Sequence, residues 1–298
     1  MKALSDLENN DISIEKEISL TDYSTMRLRS QGTIVKIKSK EALIQVIQKL
    51  AKHQIKYLVI GNGSNLLLKE VEPSPLLKLE FPFERKILET VSLSYNLPAA
   101  IHLSLLVKAA MSLGLKGWEA LAGIPASLGG AVAMNAGTAL GEICQIVEMV
   151  KIINSKGEEK VLNVSPVDFK YRGNNFLQEG DVIYEVTLKH LGIEASLKDT
   201  ILHYLQKRTA EQPLDKKTCG SVFKNIKSEG VTCAAGHYID IMGMKGFSKN
   251  GISVSSKHAN FFENEEGGTY SDMVSMMEYV RGELYLQFGK RFDPEVKS

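Results

Sequence analysis

Several short segments carry residue types suited to chemistry. Gly61-Asn62-Gly63-Ser64-Asn65 follows the apolar run Tyr57 to Ile60. Glycines lack the Cβ that blocks tight turns, so successive N–H groups can face one concavity and hold phosphate oxygens. Ser64 and the two Asn amides would add donors. An ordinary turn between strands has the same composition. The segment is not a GxGxxG opening a helix, so a Rossmann site is not supported. Gly123 to Gly137, GIPASLGGAVAMNAG, is rich in small residues. A helix starting near Ser127 would aim its first N–H groups at an anion, and close packing of two elements selects the same residues. In Tyr171-Arg172-Gly173-Asn174-Asn175-Phe176, Arg172 offers a fork for a carboxylate or enolate, or is a surface Arg in a turn. In Cys219-Gly220-Ser221-Val222-Phe223-Lys224-Asn225, Ser221 could donate a proton beside cationic Lys224, or start a strand. This is not a G-x-S-x-G nucleophile elbow. His258, in Ser256 to Phe261, reads as structural. Glu295, in Asp293-Pro294-Glu295-Val296, reads by itself as a solvated charge.

The bulk properties narrow the class. The chain has 298 residues, 44% hydrophobic, enough for a sizeable core and two or three domains. Lys+Arg number 36 and Asp+Glu 35, a net charge of +1, so nothing favours a nucleic-acid or membrane-surface partner. Cys144, Cys219 and Cys233 form neither a CxxC pair nor a spaced metal set, which fits a reducing cytoplasm and no metal. The start MKALSDLENNDISIEKE is acidic and lacks the apolar run of a signal peptide. No stretch approaches the roughly 18 apolar residues of a membrane helix.

The elements that must position these residues can be read from periodicity. Residues 1–19 read as a polar lead-in. Thr33 to Ile37 alternate as a strand, Glu41 to His53 place Leu43, Ile44, Ile47 and Leu50 on one helical face, and Tyr57 to Ile60 form a strand that stops at the first glycine loop. Ile87 to Leu93 alternate again. A helix is expected over Pro98 to Leu113, with Pro at its start and Gly114 just past its end. Val147 to Ile153 and Lys160 to Val164 flank the turn Asn154-Ser155-Lys156-Gly157, and Val182 to Leu188 read as another strand. Helices are expected over Ala195 to Thr209, Val231 to Met242 and Ser271 to Phe288.

Taken in order, the segments form a set. Ser24-Thr25-Met26-Arg27, GNGSN at 61–65, GIPASLGGAVAMNAG at 123–137, YRGNNF at 171–176, QPL at 212–214, CGSVFKN at 219–225, MKGFSKNGISVSSKHANF at 244–261 and DPEV at 293–296 span nearly the whole chain. With them the chain resembles the UDP-N-acetylenolpyruvoylglucosamine reductase family, in its shorter subclass without an inserted tyrosine loop. Asn174 and Asn175 stand where the pattern carries a Ser, and Ile226 replaces a Pro.

The resemblance implies an α+β fold: a two-lobed FAD-binding domain of the vanillyl-alcohol-oxidase (PCMH) type and a C-terminal α+β substrate-binding domain. The expected division is 20–85 for lobe 1, 86–194 for lobe 2 and 195–298 for the substrate domain. It implies NADPH as hydride donor, non-covalent FAD, and reduction of a UDP-sugar enolpyruvyl ether in the cytoplasm for peptidoglycan precursor synthesis. By resemblance, Arg172 stabilises the enolate, Ser221 protonates it and Glu295 is its acidic partner. The resemblance assigns Gly61, Asn62, Gly63, Ser64, Asn65, Gly123, Ile124, Pro125, Ser127, Gly129, Gly130, Asn135, Ala136 and Gly137 to the cofactor. Tyr171, Arg208, Lys224 and Asn225 fall to the substrate.

Overall fold

The structure is a computed structural model that describes residues 2–228 and 231–298. The chain forms two compact units. The first comprises Met1–Lys16, Thr33–Asn62 and Ser74–Gln206; the second comprises Glu17–Gly32, Gly63–Pro73 and Lys207–Ser298.

The first unit holds two sheets. In chain order, β1 (Ile12–Ser19), β2 (Gln31–Ile37), β3 (Leu58–Ile60) and β4 (Leu76–Leu79) make a sheet ordered β1-β2-β4-β3. The last three strands run parallel, with Ile34 and Leu58 both opposite Leu76. A parallel pair needs a crossover, and α1 (Lys40–Lys52) supplies it between β2 and β3. Ser39 caps α1 by accepting from the Ala42 N–H, and Leu43, Val46, Ile47 and Leu50 form its buried stripe. Each such side chain contributes about 1.5–3 kcal/mol on burial.

The other sheet of this unit is antiparallel. It contains β5 (Ser94–Pro98), β8 (Val147–Ile153), β9 (Glu159–Asn163) and β12 (Val182–Lys189), ordered β5-β12-β8-β9. The β8–β9 turn is made by Asn154, whose Oδ1 accepts the Lys156 and Glu158 N–H groups. Between β5 and β8 lie α2 (Leu103–Leu113), α3 (Leu128–Ala133) and the short pair β6 (Gly137–Thr138) and β7 (Gly141–Glu142). The pair β10 (Phe169–Lys170) and β11 (Gly173–Asn174) forms a tight hairpin before β12.

Four expectations about local structure need correction. Residues 1–19 are more than a lead-in: Leu4 and Ile12 are buried, and β1 is a sheet strand. Ile87 to Leu93 do not form a strand. Arg85–Leu88 is a 3-10 turn, and Leu93 is 88% exposed. The strand starts one residue later, where Tyr95 and Leu97 face the core. Pro98 ends that strand rather than starting a helix. The next residue, Ala99, donates to the Tyr184 carbonyl and accepts from Gly129 N–H, and the chain turns at Ala99-Ala100, with Ile101 N–H donating to the Pro98 carbonyl, before α2 starts at Leu103. The helix expected over 231–242 divides into a strand and a shorter helix.

The second unit is built around β13 (Thr218–Ser221), β16 (Ser248–Lys249), β17 (Ile252–Val254) and β18 (Phe261–Asn264), ordered β13-β18-β17-β16. The hairpin β14 (Ile226–Ser228) and β15 (Val231–Cys233) precedes α5 (Ala235–Ile241). The helix α4 (Leu197–Glu211) leads into this unit. The final helix, α6 (Tyr270–Phe288), begins at a Thr269/Asp272 capping box and ends at left-handed Gly289. Its Met273, Met276, Val280 and Leu284 pack with Phe223, Phe262 and Phe292.

Candidate active site

The first glycine loop starts where β3 ends. A Cβ on Gly61 would come 2.1 Å from the Ser127 hydroxyl oxygen, so a side chain there would push that hydroxyl from its capping position. The Asn62 amide donates to the Pro125 carbonyl at 3.2 Å and lies 2.9 Å from Nδ1 of His102. Gly61 and Asn62 therefore rest directly on the second glycine segment. His102 lies outside both motifs, and nothing in its local sequence marked it. Gly63 belongs to the second unit and has φ +63, with the Tyr23 carbonyl where a Cβ would stand. The backbone N–H groups of Asn62, Gly63, Ser64 and Asn65 meet no protein acceptor among the described residues.

The second segment behaves differently. A helix does start after Ser127, as the small residues suggested, but its first N–H groups are already used. Leu128 donates to the Ile101 carbonyl, Gly129 to the Ala99 carbonyl, and Gly130 to the Ser127 hydroxyl. The expectation that these groups face an anion is corrected: here close packing wins. A Cβ on Gly129 would sit 2.8 Å from Ala99 Cβ, and one on Gly137 would sit 2.7 Å from the Gly141 carbonyl. Asn135 is 2% exposed, with φ +44. Its amide donates to Glu142 Oε2 and the Lys170 carbonyl, and its Oδ1 accepts the Cys144 N–H. Gly123, Ile124, Pro125 and Ala136 complete the segment, and the Ala136 N–H is bonded to the Ala131 carbonyl.

Tyr171 and Arg172 are the two loop residues of the β10–β11 hairpin, since Lys170 pairs with Gly173. Arg172 has φ +55, and its guanidinium lies 5.1 Å from the Tyr171 ring centroid. A turn with positive φ at its second central residue favours Gly or Asn, so holding Arg there costs on the order of 1 kcal/mol. Two bonds pin the hairpin: Asn135 to the Lys170 carbonyl, and Asn174 Nδ2 to the Ala133 carbonyl at 2.9 Å.

In the second unit, Ser221 ends β13 opposite Phe261, after a register irregularity at left-handed Gly220. Val222 donates to the Asn260 carbonyl. The buried Asn260 side chain accepts from Phe223 N–H and donates back to the Phe223 carbonyl. The C-terminal segment pairs with this strand, Glu295 N–H donating to the Val222 carbonyl at 2.7 Å and Lys224 N–H to the Asp293 carbonyl. Ser221, Lys224 and Glu295 thus lie on two adjoining backbone segments. Asn225 uses its Oδ1 to accept the Ala235 N–H at the start of α5. Arg208, on α4, is one of the charges acting on His258, which burial in the first place holds below its usual pKa.

Comparisons with known proteins place the chain. Residues 32–163 match the family model of an FAD binding domain, and residues 212–298 match that of the UDP-N-acetylenolpyruvoylglucosamine reductase C-terminal domain. The UDP-N-acetylenolpyruvoylglucosamine reductase of Clostridium perfringens is 32% identical over 87% of this chain and 84% of its own. That of Heliobacterium modesticaldum is 32% identical over 93% and 88%. The chain belongs to the UDP-N-acetylenolpyruvoylglucosamine reductase family. The crystal structure of the Thermus caldophilus reductase matches 96% of this chain and 98% of its own, with TM-score 0.79 and 29% identity. The α+β fold, with an FAD-binding domain followed by the reductase C-terminal domain, stands accordingly.

The residues present suit FAD. The N–H groups of Gly63, Ser64 and Asn65, with the Ser64 hydroxyl, are donors of the kind a pyrophosphate takes. A cavity of about 600 Å³ opens beyond the C-terminal ends of β2 and β4, lined by Lys38, Lys40, Phe81, Phe83, Lys151 and Tyr184 among others. None of the glycine-loop residues line it. Its lysines are largely neutralised, Lys40 by Glu159 at 3.2 Å and Lys151 by Glu185 at 2.7 Å.

Among the described residues no helix is long and apolar enough to cross a membrane.

Proposed function

We propose that the chain reduces UDP-N-acetylglucosamine enolpyruvate to UDP-N-acetylmuramate with NADPH, in peptidoglycan precursor synthesis. The observation that carries this reading is the lacing of Glu295 onto the Ser221 strand by the Glu295 N–H to Val222 carbonyl bond, in a chain of this family. Non-covalently bound FAD, once reduced by NADPH, would supply the hydride. Addition of that hydride at the β-carbon of the enolpyruvyl group breaks the π bond of C=C and places its electron pair on the α-carbon and carboxylate. Arg172 stabilises that charge with its guanidinium. Ser221 donates its hydroxyl proton to the α-carbon, and Lys224 steadies the oxygen left behind. Glu295 is the acidic partner of this protonation. Tyr171, Arg208 and Asn225 hold the UDP-sugar.

We assign residues 20–85 and 86–194 to the two lobes that hold FAD and residues 195–298 to the substrate. The cofactor residues are the two glycine segments, with Asn135, Gly129 and Gly137 shaping the second. The protein works in the cytoplasm, where its substrates are soluble nucleotides and its three buried free cysteines stay reduced. The test is a flavin spectrum bleached by NADPH and restored by the enolpyruvyl substrate. In Ser221→Ala, reoxidation by that substrate should slow by on the order of 10² to 10⁴, while bleaching by NADPH keeps its rate. Reoxidation at the wild-type rate sinks the role of Ser221.

A further inference from the structure

We propose that Asn65 is a positioning residue for Glu295 and acts through the Glu295 backbone. The glycine loop reads as a cofactor cradle throughout, yet its last residue faces another task. The Asn65 side-chain amide donates to the Glu295 carbonyl at 3.1 Å. On the same edge, Lys297 N–H donates to the Asn65 carbonyl at 3.0 Å and Leu67 N–H to the Lys297 carbonyl at 2.8 Å, a parallel bridge. On the opposite edge, Glu295 N–H meets the Val222 carbonyl, and Phe223 pairs with Pro294. Residues 293–297 are therefore held as a strap between two segments, with Val296 buried beneath.

Both main-chain groups of Glu295 are thereby fixed, the N–H by the Ser221 strand and the carbonyl by Asn65. Fixing the peptide on each side of a Cα sets the direction of its Cβ, and so the root from which the carboxylate reaches out. The carbonyl bond is the one of these contacts that a side chain makes, so it can be removed without altering the backbone pairing. The loop is tied to the Ser221 strand as well. Thr25 N–H donates to the Gly63 carbonyl, and its hydroxyl donates to the Thr218 carbonyl at 2.7 Å. Neighbouring Asn264 donates to the Met26 and Arg27 carbonyls.

The inference rests on the reading of Glu295 as the acidic partner, and the experiment separates the two. Stopped-flow measurement divides the cycle into bleaching of bound flavin by NADPH and its reoxidation by the enolpyruvyl substrate, both taken per bound flavin. In Asn65→Ala, reoxidation should slow by more than bleaching does. Reoxidation should slow roughly five- to tenfold, the size of one lost hydrogen bond, and its pH profile should shift. The double variant Asn65→Ala/Glu295→Gln should be no slower than Glu295→Gln, because Asn65 would then have nothing left to position. Asn65→Asp, of equal size but without the donor, should repeat the loss if the alanine variant folds poorly. Independent losses that multiply in the double variant, or a loss confined to flavin retention and bleaching, would overturn the proposal. Wild-type reoxidation in Glu295→Gln would instead remove the role of Glu295 itself.

Discussion

The hairpin carrying Arg172 and the strap carrying Glu295 solve one problem in two ways. Each is held by an asparagine from a glycine-rich segment, Asn135 in the first unit and Asn65 in the second. The Arg172 hairpin is a two-residue turn whose second residue is left-handed, pinned by an almost fully buried amide that makes three hydrogen bonds. The Glu295 strap has no left-handed residue, is bridged on both edges, and its asparagine is only half buried. A strained loop needs an anchor that the fold cannot do without. A paired strand needs only a final adjustment. Anchoring by Asn135 should therefore be a matter of stability, and anchoring by Asn65 a matter of rate.

The largest effect expected from this contrast is in Asn135→Ala. Three bonds vanish, and the Lys170 carbonyl and Cys144 N–H lose a partner. At about 1 kcal/mol each, the variant should lose roughly 3 kcal/mol, read as a lower urea midpoint with an unchanged slope. Asn65→Ala should lose about 1 kcal/mol or less in the same titration. Equal losses in the two variants would break the contrast.

The asymmetry was only partly legible in the residues. The crossover β2–α1–β3, the β8–β9 hairpin and the Gly114 stop followed from period and turn chemistry, because local pattern and tertiary burial agree there. The alternation Ile87 to Leu93 misled because it is a surface pattern with no sheet opposite it. The glycine segments were found as motifs, but their division of labour was hidden. Whether an N–H is free depends on a carbonyl brought from far along the chain, as Ala99 and Ile101 are brought to α3. For the same reason Asn135 reads as a ligand in sequence and as an anchor in space. Its positive φ had one faint signal, an Asn just before Ala-Gly, since Asn tolerates the left-handed region.

A smaller effect probes the strain itself. Arg172→Ala and Arg172→Gly both lose the guanidinium and its contact with Tyr171, so both should be impaired in reoxidation. They differ in backbone cost: alanine at φ +55 is disfavoured by about 1 kcal/mol, and glycine is not. The glycine variant, although smaller, should unfold at the higher urea concentration. The reverse order would show that the hairpin relaxes out of the left-handed region once Arg172 is gone, and that Arg172 itself imposes the strain. At the paired strap no such inversion is expected, and Val296→Gly should simply be less stable than Val296→Ala.

The smallest effect concerns the thiol next to the strap. Cys219 is 2% exposed, and its pKa is pushed from the ordinary 9.0 up to about 12, first by burial and then by the charge of Glu295. A raised folded-state pKa means that the unfolded chain ionises first. The stability from this thiol is complete below pH 9 and falls away as pH rises toward 12. Native Cys219 should therefore resist iodoacetamide at pH 9, as read peptide by peptide in a mass spectrometer, and label once urea unfolds the chain. Glu295→Gln removes the lesser cause, so labelling should begin at slightly lower pH and stay far slower than in the unfolded chain. Labelling of the native protein at the unfolded rate would make Cys219 an accessible acid two residues from Ser221. Ser221 would then have a rival as proton donor, and Cys219→Ala, tested for reoxidation beside Ser221→Ala, would decide between them.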